Sequence, residues 1–541
     1  MKTFLLGGAA AIALAAVMPA VAAAQATAAP AATAVVPDNI LLKEWTGPYD
    51  GVPPWDQVKP TQFGPAFQFG IDEMLGEIDA IANNPAEPTF ENTIEEMEKS
   101  GERLDRVQSI FGVYSSNLST PEVQAINKLW SPKLSAAYDK INLNAQLFDR
   151  IAKLYERREQ LGLDPKQVRL LTRTYEGFVR RGAKLNEAQK AQLSGYNQQL
   201  AAAFSDFNSK LLADESTHTA ANEAEMAGVP QDVKDAALAA GKEAGLPPGV
   251  YAIANTRSAV EPVLSFGTNR ALRERVFKAF VQRGDNGDAN DTNALIAKIV
   301  KLRADRAKLL GYATHADWRM QDTMAQSPAK AMDLMTRVWK PAVARVHQEV
   351  ADMKPFAAKD GITTIEPWDY RFYQEKVRKA KYDLSQDEIK PYFALDNLVK
   401  GMFWSAEQLY DLRFTENTGK VPVFHPDIRT FEVSNARTGE VTGLFYLDTY
   451  ARQGKRSGAW ATTYRSRAGL LGDEIVIGSN NNNFTKPAPG KPVLISLTDA
   501  QTLWHEFGHA IHYYLSDVKY PSLGGSPRDF VEYPSQVNEN W

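Results

Sequence analysis

Apolar side chains recur at intervals of three and four residues through most of this 541-residue chain, and no other feature constrains its fold as strongly. The pattern holds from about residue 38 to residue 210, and a clear example is formed by Leu147, Phe148, Ile151, Leu154 and Tyr155. This period places apolar residues on one face of a helix. Residues 189–212 and 291–308 also favour helices. The sequence therefore predicts a mainly α-helical protein.

Two regions depart from the helical period and predict extended chain. The first is residues 251–266, which are rich in valine, threonine and proline. The second contains four predicted short strands, of which the first two form a hairpin around 435–439: 431–433, 441–450, 474–477 and 492–495. We therefore expect a small β-sheet just before the last helices of the chain.

The composition excludes several classes of site and partner. Cysteine is absent, which excludes disulfides, thiolate catalysis and cysteine-bound metals. Any metal must therefore be bound by His, Asp or Glu. The 61 basic residues are balanced by 65 acidic ones. Because this balance leaves no strong basic field, we expect no nucleic-acid partner and no binding to an anionic membrane surface.

The first 26 residues have the order of a secretory signal peptide. The positively charged start Met1-Lys2-Thr3 precedes an apolar run from Phe4 to about Val21, and residues 24–26 (AQA) offer a cleavage site. An uncleaved anchor helix is the alternative, disfavoured by the alanine-rich apolar run and the cleavage signal. Residues 27–37 predict a flexible linker. We expect an exported, periplasmic protein without a membrane anchor after cleavage.

Three of the seven histidines lie in the segment 504–512, WHEFGHAIH. Because residues four apart share one face of a helix, His505 and His509 can bind one metal ion together. Glu506 lies one step round the helix, where it can contact a water on the metal without binding the metal itself. This is the HExxH pattern of zinc hydrolases. The segment therefore predicts a catalytic site with one Zn²⁺ ion.

An accidental surface helix is the alternative interpretation of this segment. Two apolar stripes on the helix disfavour it: Leu503, Phe507, Ala510 and Tyr514 on one, Trp504, Ile511 and Leu515 on the other. A helix that is apolar on several sides is buried. Burying two imidazoles and a carboxylate there without a bound ion would cost several kcal/mol.

A catalytic zinc ion needs a third protein ligand. A third histidine ten residues after the first is excluded because that position is Leu515, and His512 is interpreted as a packing or supporting residue. The acidic candidates downstream are Asp517, Asp529, Glu532 and Glu539. A helix is predicted from Pro527 with Ser526 as its N-cap. Spacing alone leaves Asp529 and Glu532 as competing third ligands.

Several long motifs resemble the thimet-oligopeptidase family of zinc metallopeptidases. HEFGH at 505–509 is followed by RDFVEYPSQ at 528–536. Five more segments resemble the peptidyl-dipeptidase (dipeptidyl carboxypeptidase) branch of this family: WTGPYDGVPP at 45–54, PTFENT at 88–93, GLFYLD at 443–448, KRSGAW at 455–460 and NNFTKP at 482–487. The resemblance covers nearly the whole chain after the predicted linker.

The resemblance implies roles for the residues that match the motifs. It makes His505, His509 and Glu532 the zinc ligands and Glu506 the catalytic acid and base. It implies two mainly helical lobes around a deep channel that admits short unfolded peptides, with a small sheet beside the HExxH helix. On this basis we expect a monomer with an N-terminal helical domain at 38–250 and a catalytic domain at 251–541.

The resemblance also bears on the end of the chain and on its activity. Family members continue beyond the 528–536 motif and supply tyrosine and histidine groups there, so the catalytic domain is expected to be incomplete at its C-terminus. Release of C-terminal dipeptides is the expected activity. The alternatives are an endo-oligopeptidase of the same family and a noncatalytic, metal-bearing peptide-binding protein, although the latter would be expected to lack Glu506.

The predicted strands upstream of the zinc helix are interpreted in two ways. The region 443–496 is expected to offer a sheet edge along which an extended peptide pairs through its main chain. Its conspicuous polar residues, which are Tyr446, Asp448, Arg452 and 480–483, are interpreted as parts of the fold and its turns because nothing in the sequence directs them at a substrate.

Overall fold

A computed structural model describes residues 35–472, 475–487 and 490–541. The predicted signal peptide and most of the predicted linker lie outside these residues. No helix within the described ranges combines the length and the apolar character needed to cross a membrane.

The N-terminal part consists of helices, as the apolar period predicts. From residue 35 onward, seven α-helices precede the first strand: α1 (Phe63–Ala82), α2 (Glu96–Lys99), α3 (Glu102–Asn117), α4 (Pro121–Asn142), α5 (Ala145–Glu156), α6 (Pro165–Arg180) and α7 (Glu187–Glu215). Side-chain caps begin several of them. The Asn144 side chain accepts a hydrogen bond from the Leu147 backbone N–H, and Asp164 accepts one from that of Gln167. In α5, Leu147, Ile151 and Leu154 are buried, which confirms the predicted apolar face.

The remaining helices surround or follow the strands. They are α8 (Gln231–Glu243), α9 (Arg257–Phe266), α10 (Arg270–Val281), α11 (Asn293–Leu309), α12 (His315–Arg319), α13 (Pro328–Lys359), α14 (Tyr370–Tyr382), α15 (Gln386–Ile389), α16 (Leu395–Tyr410), α17 (Leu497–Tyr514) and α18 (Glu532–Asn538). The protein is therefore mainly α-helical, in agreement with the sequence.

A two-stranded sheet lies early in the chain. Strand β1 (His218–Ala221) pairs antiparallel with β2 (Tyr251–Ala254). The prediction of extended chain over 251–266 is thus correct for β2 and wrong for α9. Val260, Val263 and Leu264 are buried on one face of α9, and this packing outweighs the weak helix propensity of the segment. The domain boundary predicted between residues 250 and 251, which β1 and β2 bridge, stays a prediction.

A five-stranded sheet lies beside α17. Its strands are β3 (Leu412–Glu416), β4 (Arg429–Asn435), β5 (Val441–Tyr450), β6 (Trp460–Arg465) and β7 (Val476–Phe484), and their spatial order is β3-β4-β5-β7-β6. Strands β5 and β7 are parallel, while the other neighbours are antiparallel. The predicted hairpin of β4 and β5 is confirmed. The prediction of a strand at 492–495 is wrong, because there Leu494 forms only an isolated bridge with Ala394.

The two faces of this sheet pack against different parts of the chain. On one face, Phe445 and Val476 join α16 and α17 in a common apolar cluster. On the other face, Tyr446 and Ile477 pack with Trp55 and the N-terminal helices α1, α3 and α4. The sheet is therefore buried on both sides between the N-terminal helices and α17.

Asp448, Arg452 and Asn481 of the sheet region have structural partners. Asp448 is fully buried and forms ion pairs with Arg452 and Lys455, and it accepts a hydrogen bond from the Asn117 side chain. The Asn481 side chain accepts a hydrogen bond from the same amide group. This arrangement links the sheet to α3 and agrees with the interpretation of these residues as parts of the fold.

Candidate metal centre

Helix α17 carries the HExxH residues and is anchored at its beginning. The Ser496 side chain accepts a hydrogen bond from the Asp499 backbone N–H, which caps the helix. The buried Asp499 carboxylate in turn accepts hydrogen bonds from Arg257 and Ser258 of α9. These contacts hold the helix to a distant part of the chain.

One predicted apolar stripe of α17 is confirmed, and the other is only partly correct. Leu503, Phe507, Ala510 and Tyr514 are all buried against the five-stranded sheet. Of the second stripe, Ile511 is buried but Leu515 is 47% exposed. Trp504 is half-buried, so the second stripe is enclosed only in part.

Helix α18 begins at Glu532, so the prediction of a helix from Pro527 with Ser526 as its N-cap is wrong. Residues 528–531 form turns instead. Pro534 provides a physical reason: it has no N–H to donate to the carbonyl of Phe530, as a helix through residue 530 would require. Proline is tolerated in the first turn of a helix, which is where Pro534 lies. Glu532 is consequently the first residue of α18.

Contacts with the N-terminal helical part position the segment between α17 and α18. The Glu95 carboxylate accepts hydrogen bonds from Lys519 and from the Tyr520 hydroxyl. The Glu98 carboxylate accepts one from the Ser522 backbone N–H. The path that leads to Glu532 is thus set by residues more than 400 positions earlier in the sequence.

Gly508 allows α18 to lie directly on α17. A Cβ atom at position 508 would be 2.7 Å from the Cα of Ser535 and 2.9 Å from the Cβ of Asn538. Both distances are too short for a side chain of any size. The Asn538 side chain also donates a hydrogen bond of 2.6 Å to the Trp504 carbonyl. The missing side chain at 508 therefore permits the close helix contact that brings Glu532 to the histidines.

Three of the predicted site residues converge at this helix contact. The Oε2 atom of Glu532 lies 3.1 Å from Nε2 of His505 and 3.2 Å from Nε2 of His509. One ligand atom from each residue lies within 4.8 Å of the others. The Glu532 side chain is 58% exposed, whereas those of His505 and His509 are 22% and 12% exposed. The arrangement offers three donors of the kinds that bind zinc and leaves one side open to solvent.

The other acidic candidates lie elsewhere or have a different contact. The Asp529 carboxylate accepts hydrogen bonds of 2.9 Å from the backbone N–H groups of Met324 and Ala325, which hold its pKa below the usual range. Glu539 contacts His505 at the ring nitrogen that does not face Glu532: its Oε1 atom lies 2.7 Å from Nδ1 of His505. Asp529 is thus occupied elsewhere, and Glu539 can fix the His505 ring so that Nε2 faces Glu532.

Glu506 is adjacent to these donors and is buried. The backbone N–H of Ala461 in strand β6 faces this carboxylate and slightly lowers its pKa. Burial raises the pKa of Glu506 to about 7, with a further increase from the Glu532 charge and an opposing effect of His505. Burial also lowers the pKa of His509, which favours the neutral imidazole that a metal requires. The site thus contains a carboxylate with the proton affinity of a general base beside a neutral imidazole donor.

Known proteins resemble the chain over most of its length. The pattern of peptidase family M3 matches residues 264–541. The dipeptidyl carboxypeptidase of Escherichia coli is 38% identical over 509 residues, which cover 93% of this chain and 74% of the relative. The enzyme of that name from Salmonella typhimurium is 37% identical over the same shares. Oligopeptidase A of Haemophilus influenzae is 29% identical over 507 residues, covering 91% of this chain and 73% of the relative. These matches confirm the resemblance inferred from the motifs, and the chain belongs to peptidase family M3.

Proposed function

We propose that this protein is a zinc-dependent peptidase that hydrolyses short unfolded peptides, uses water as the nucleophile and releases dipeptides from their C-termini. The observation that carries the proposal is the convergence of His505, His509 and Glu532 beside the buried Glu506. The names of the relatives, dipeptidyl carboxypeptidase and oligopeptidase A, support the substrate class. The three proposed metal ligands and Glu506 belong to one chain, which is consistent with the expected monomer.

The donor set fits zinc. Two ligands of one tetrahedral zinc ion, each about 2.0–2.1 Å from the metal, lie about 3.3 Å apart. The separations of 3.1 and 3.2 Å between Glu532 and the two histidines are close to this value. Two imidazoles and one carboxylate form a common catalytic set, in which a fourth position stays available for water or substrate.

The proposed chemistry assigns Glu506 the proton transfers. Zinc bound by His505, His509 and Glu532 would lower the pKa of water and polarise the scissile carbonyl. The Glu506 carboxylate accepts a proton from the attacking water and passes it to the leaving amine. The Glu506 carboxylate faces the Ala461 N–H of β6, and burial raises its proton affinity. Glu539 keeps the His505 ring in place through Nδ1.

The sheet supports a binding mode for the peptide. Strand β6 is at the end of the sheet order and pairs only with β7 among the described strands. Ala461 of this strand contacts Glu506, so the free edge of β6 runs beside the proposed reacting groups. An extended peptide paired with this edge through its main chain would be accepted with many different side chains.

Mass spectrometry of the products from one unblocked pentapeptide tests the proposal. We expect the zinc-loaded protein to release the C-terminal dipeptide, and a chelator to stop the reaction because it removes the ion that activates water. The same peptide with an amidated C-terminus is expected to be a poor substrate. Rapid internal cleavage of the amide would favour the endo-oligopeptidase alternative, and zinc binding without any cleavage would favour the noncatalytic one.

We also propose that residues 1–26 are removed when the protein is exported to the periplasm. The order of charged start, apolar run and small residues in this segment supports the proposal. N-terminal sequencing of the protein from a periplasmic extract is expected to begin between Ala22 and Thr27. An intact Met1 in that fraction would contradict the proposal.

A further inference from the structure

Arg456 lies in the loop that leads into the edge strand β6. Its side chain is exposed, and its guanidinium carbon lies 5.0 Å from the centre of the Trp460 ring. Within residues 35–472, 475–487 and 490–541, no carboxylate forms an ion pair with this guanidinium. The loop itself is fixed, because the Arg456 backbone N–H donates to the Ser116 carbonyl. The Arg456 backbone is therefore fixed at the start of β6, and its positive charge has no anionic partner among these residues.

Five other cations around the sheet end and the start of α17 have acidic partners. These pairs are Arg452 and Lys455 with Asp448, Arg257 with Asp499, Arg283 with Glu215, and Lys486 with Asp427. Each of these cations would have to leave a carboxylate before it could bind another anion. Arg456 would not, and this difference distinguishes it as an anion-binding group.

The strand register places Arg456 at a specific distance from the proposed reacting groups. Ala461, which contacts Glu506, pairs with Asn480 of β7. The Asn483 side chain donates hydrogen bonds of 2.8 and 2.7 Å to the carbonyls of Arg456 and Gly458. The Arg456 backbone is therefore beside Asn483, three residues beyond Asn480, which corresponds to about 10 Å along the strand. Its side chain reaches back from there over Trp460.

A dipeptide and the Arg456 side chain can together span this distance. In an extended peptide, two residues beyond the scissile bond span about 7 Å. If such a peptide runs antiparallel to β6, its C-terminal end points toward Trp460 and the Arg456 loop. The terminal carboxylate then lies between the level of Ala461 and that of the Arg456 backbone, where the side chain can meet it.

We propose that Arg456 binds the C-terminal carboxylate of the peptide substrate and thereby limits cleavage to the second bond from the end. A guanidinium can bind both oxygens of a carboxylate at once, and the Trp460 ring stabilises the cation in position. This assignment rests on the proposed peptidase function. It names the residue that recognises the chain end, which the three metal donors and Glu506 do not define.

Equilibrium binding to the Glu506→Gln variant tests the assignment without turnover. The zinc-loaded variant is titrated calorimetrically with an unblocked pentapeptide and with the same peptide amidated at its C-terminus. We expect the free acid to bind at least about tenfold more tightly than the amide, as a charge-assisted hydrogen bond allows. Adding Arg456→Ala should abolish this preference by weakening only the free acid, whereas Arg456→Lys should retain part of it. Arg437→Ala, at an exposed arginine between β4 and β5, is the matched control and should change neither affinity.

Two outcomes would overturn the role of Arg456. One is a preference for the free acid that persists in Arg456→Ala, and the other is equal binding of acid and amide in the parent variant. Neither outcome would contradict the proposed peptidase activity. That activity is tested separately, by measuring peptide cleavage with the unmodified, zinc-loaded protein. Failure of that chain to cleave any peptide would contradict the proposed function instead.

Discussion

Replacing Glu506 with glutamine is expected to lower kcat/KM for a short peptide by about 10²–10⁴-fold while zinc stays bound. Glutamine has nearly the same shape as glutamate, but its amide cannot take a proton from water. Glu506 does not belong to the group of three converging donors, so its loss should leave the metal in place. The measurement is kcat/KM together with zinc content by atomic absorption.

Glu407→Gln provides a control for this substitution. Glu407 lies on α16, its half-buried side chain pairs with Arg413, and it does not contact the proposed site residues. The Glu407→Gln substitution should leave both the peptidase activity and the zinc content unchanged. A zinc-free Glu506→Gln protein would show that Glu506 binds the metal, contrary to its proposed role.

The affinity for zinc is expected to fall in the order Asp529→Ala, Glu539→Ala, Glu532→Ala, with the largest loss for Glu532. Removing Glu532 leaves only two imidazole donors. Removing Glu539 takes away the partner of His505 Nδ1, and loss of such a partner typically costs about 10–100-fold in metal affinity. Asp529 binds backbone N–H groups at residues 324 and 325, so its removal should affect stability more than zinc. Competition with a fluorescent chelator measures all three affinities.

Asp529→Ala serves as the internal control of this series, because it removes a carboxylate only three positions from Glu532. Loss of the metal from Asp529→Ala together with its retention in Glu532→Ala would contradict the third ligand. Equal affinities of Glu539→Ala and the parent protein would show that the His505 ring needs no support from Glu539.

Elements set by local pattern were predictable from the sequence. The helical period gave α5, α7 and α11, and the spacing of His505 and His509 on one helix required no knowledge of the fold. Strand β6 was missed because its main-chain partners are in β7, and pairing at that distance leaves little local signal. The prediction of a strand at 492–495 failed for the converse reason, since an apolar run without a neighbouring strand forms none.

In the site, too, the features set by local sequence were predictable, whereas the contacts between distant elements were not. The choice between Asp529 and Glu532 depended on the start of α18, and Pro534 was the signal that could have indicated it. The contact of Glu539 with His505 could have been inferred from its position seven residues after Glu532, about two helical turns away. The position of Glu506 beside Ala461 could not be inferred in this way, because it depends on how the edge of the sheet packs against a separate helix.

The contact between α17 and α18 restricts how this sequence can vary. The HExxH pattern leaves the residues between Glu506 and His509 unspecified, yet position 508 faces Ser535 and Asn538 with no room for a methyl group. A substitution at 508 would be tolerated only if α18 moved away, and Glu532 would move with it. Gly508 and Glu532 are therefore expected to vary together. If a protein descended from this one loses the glycine at 508, selection on the glutamate at 532 is expected to relax.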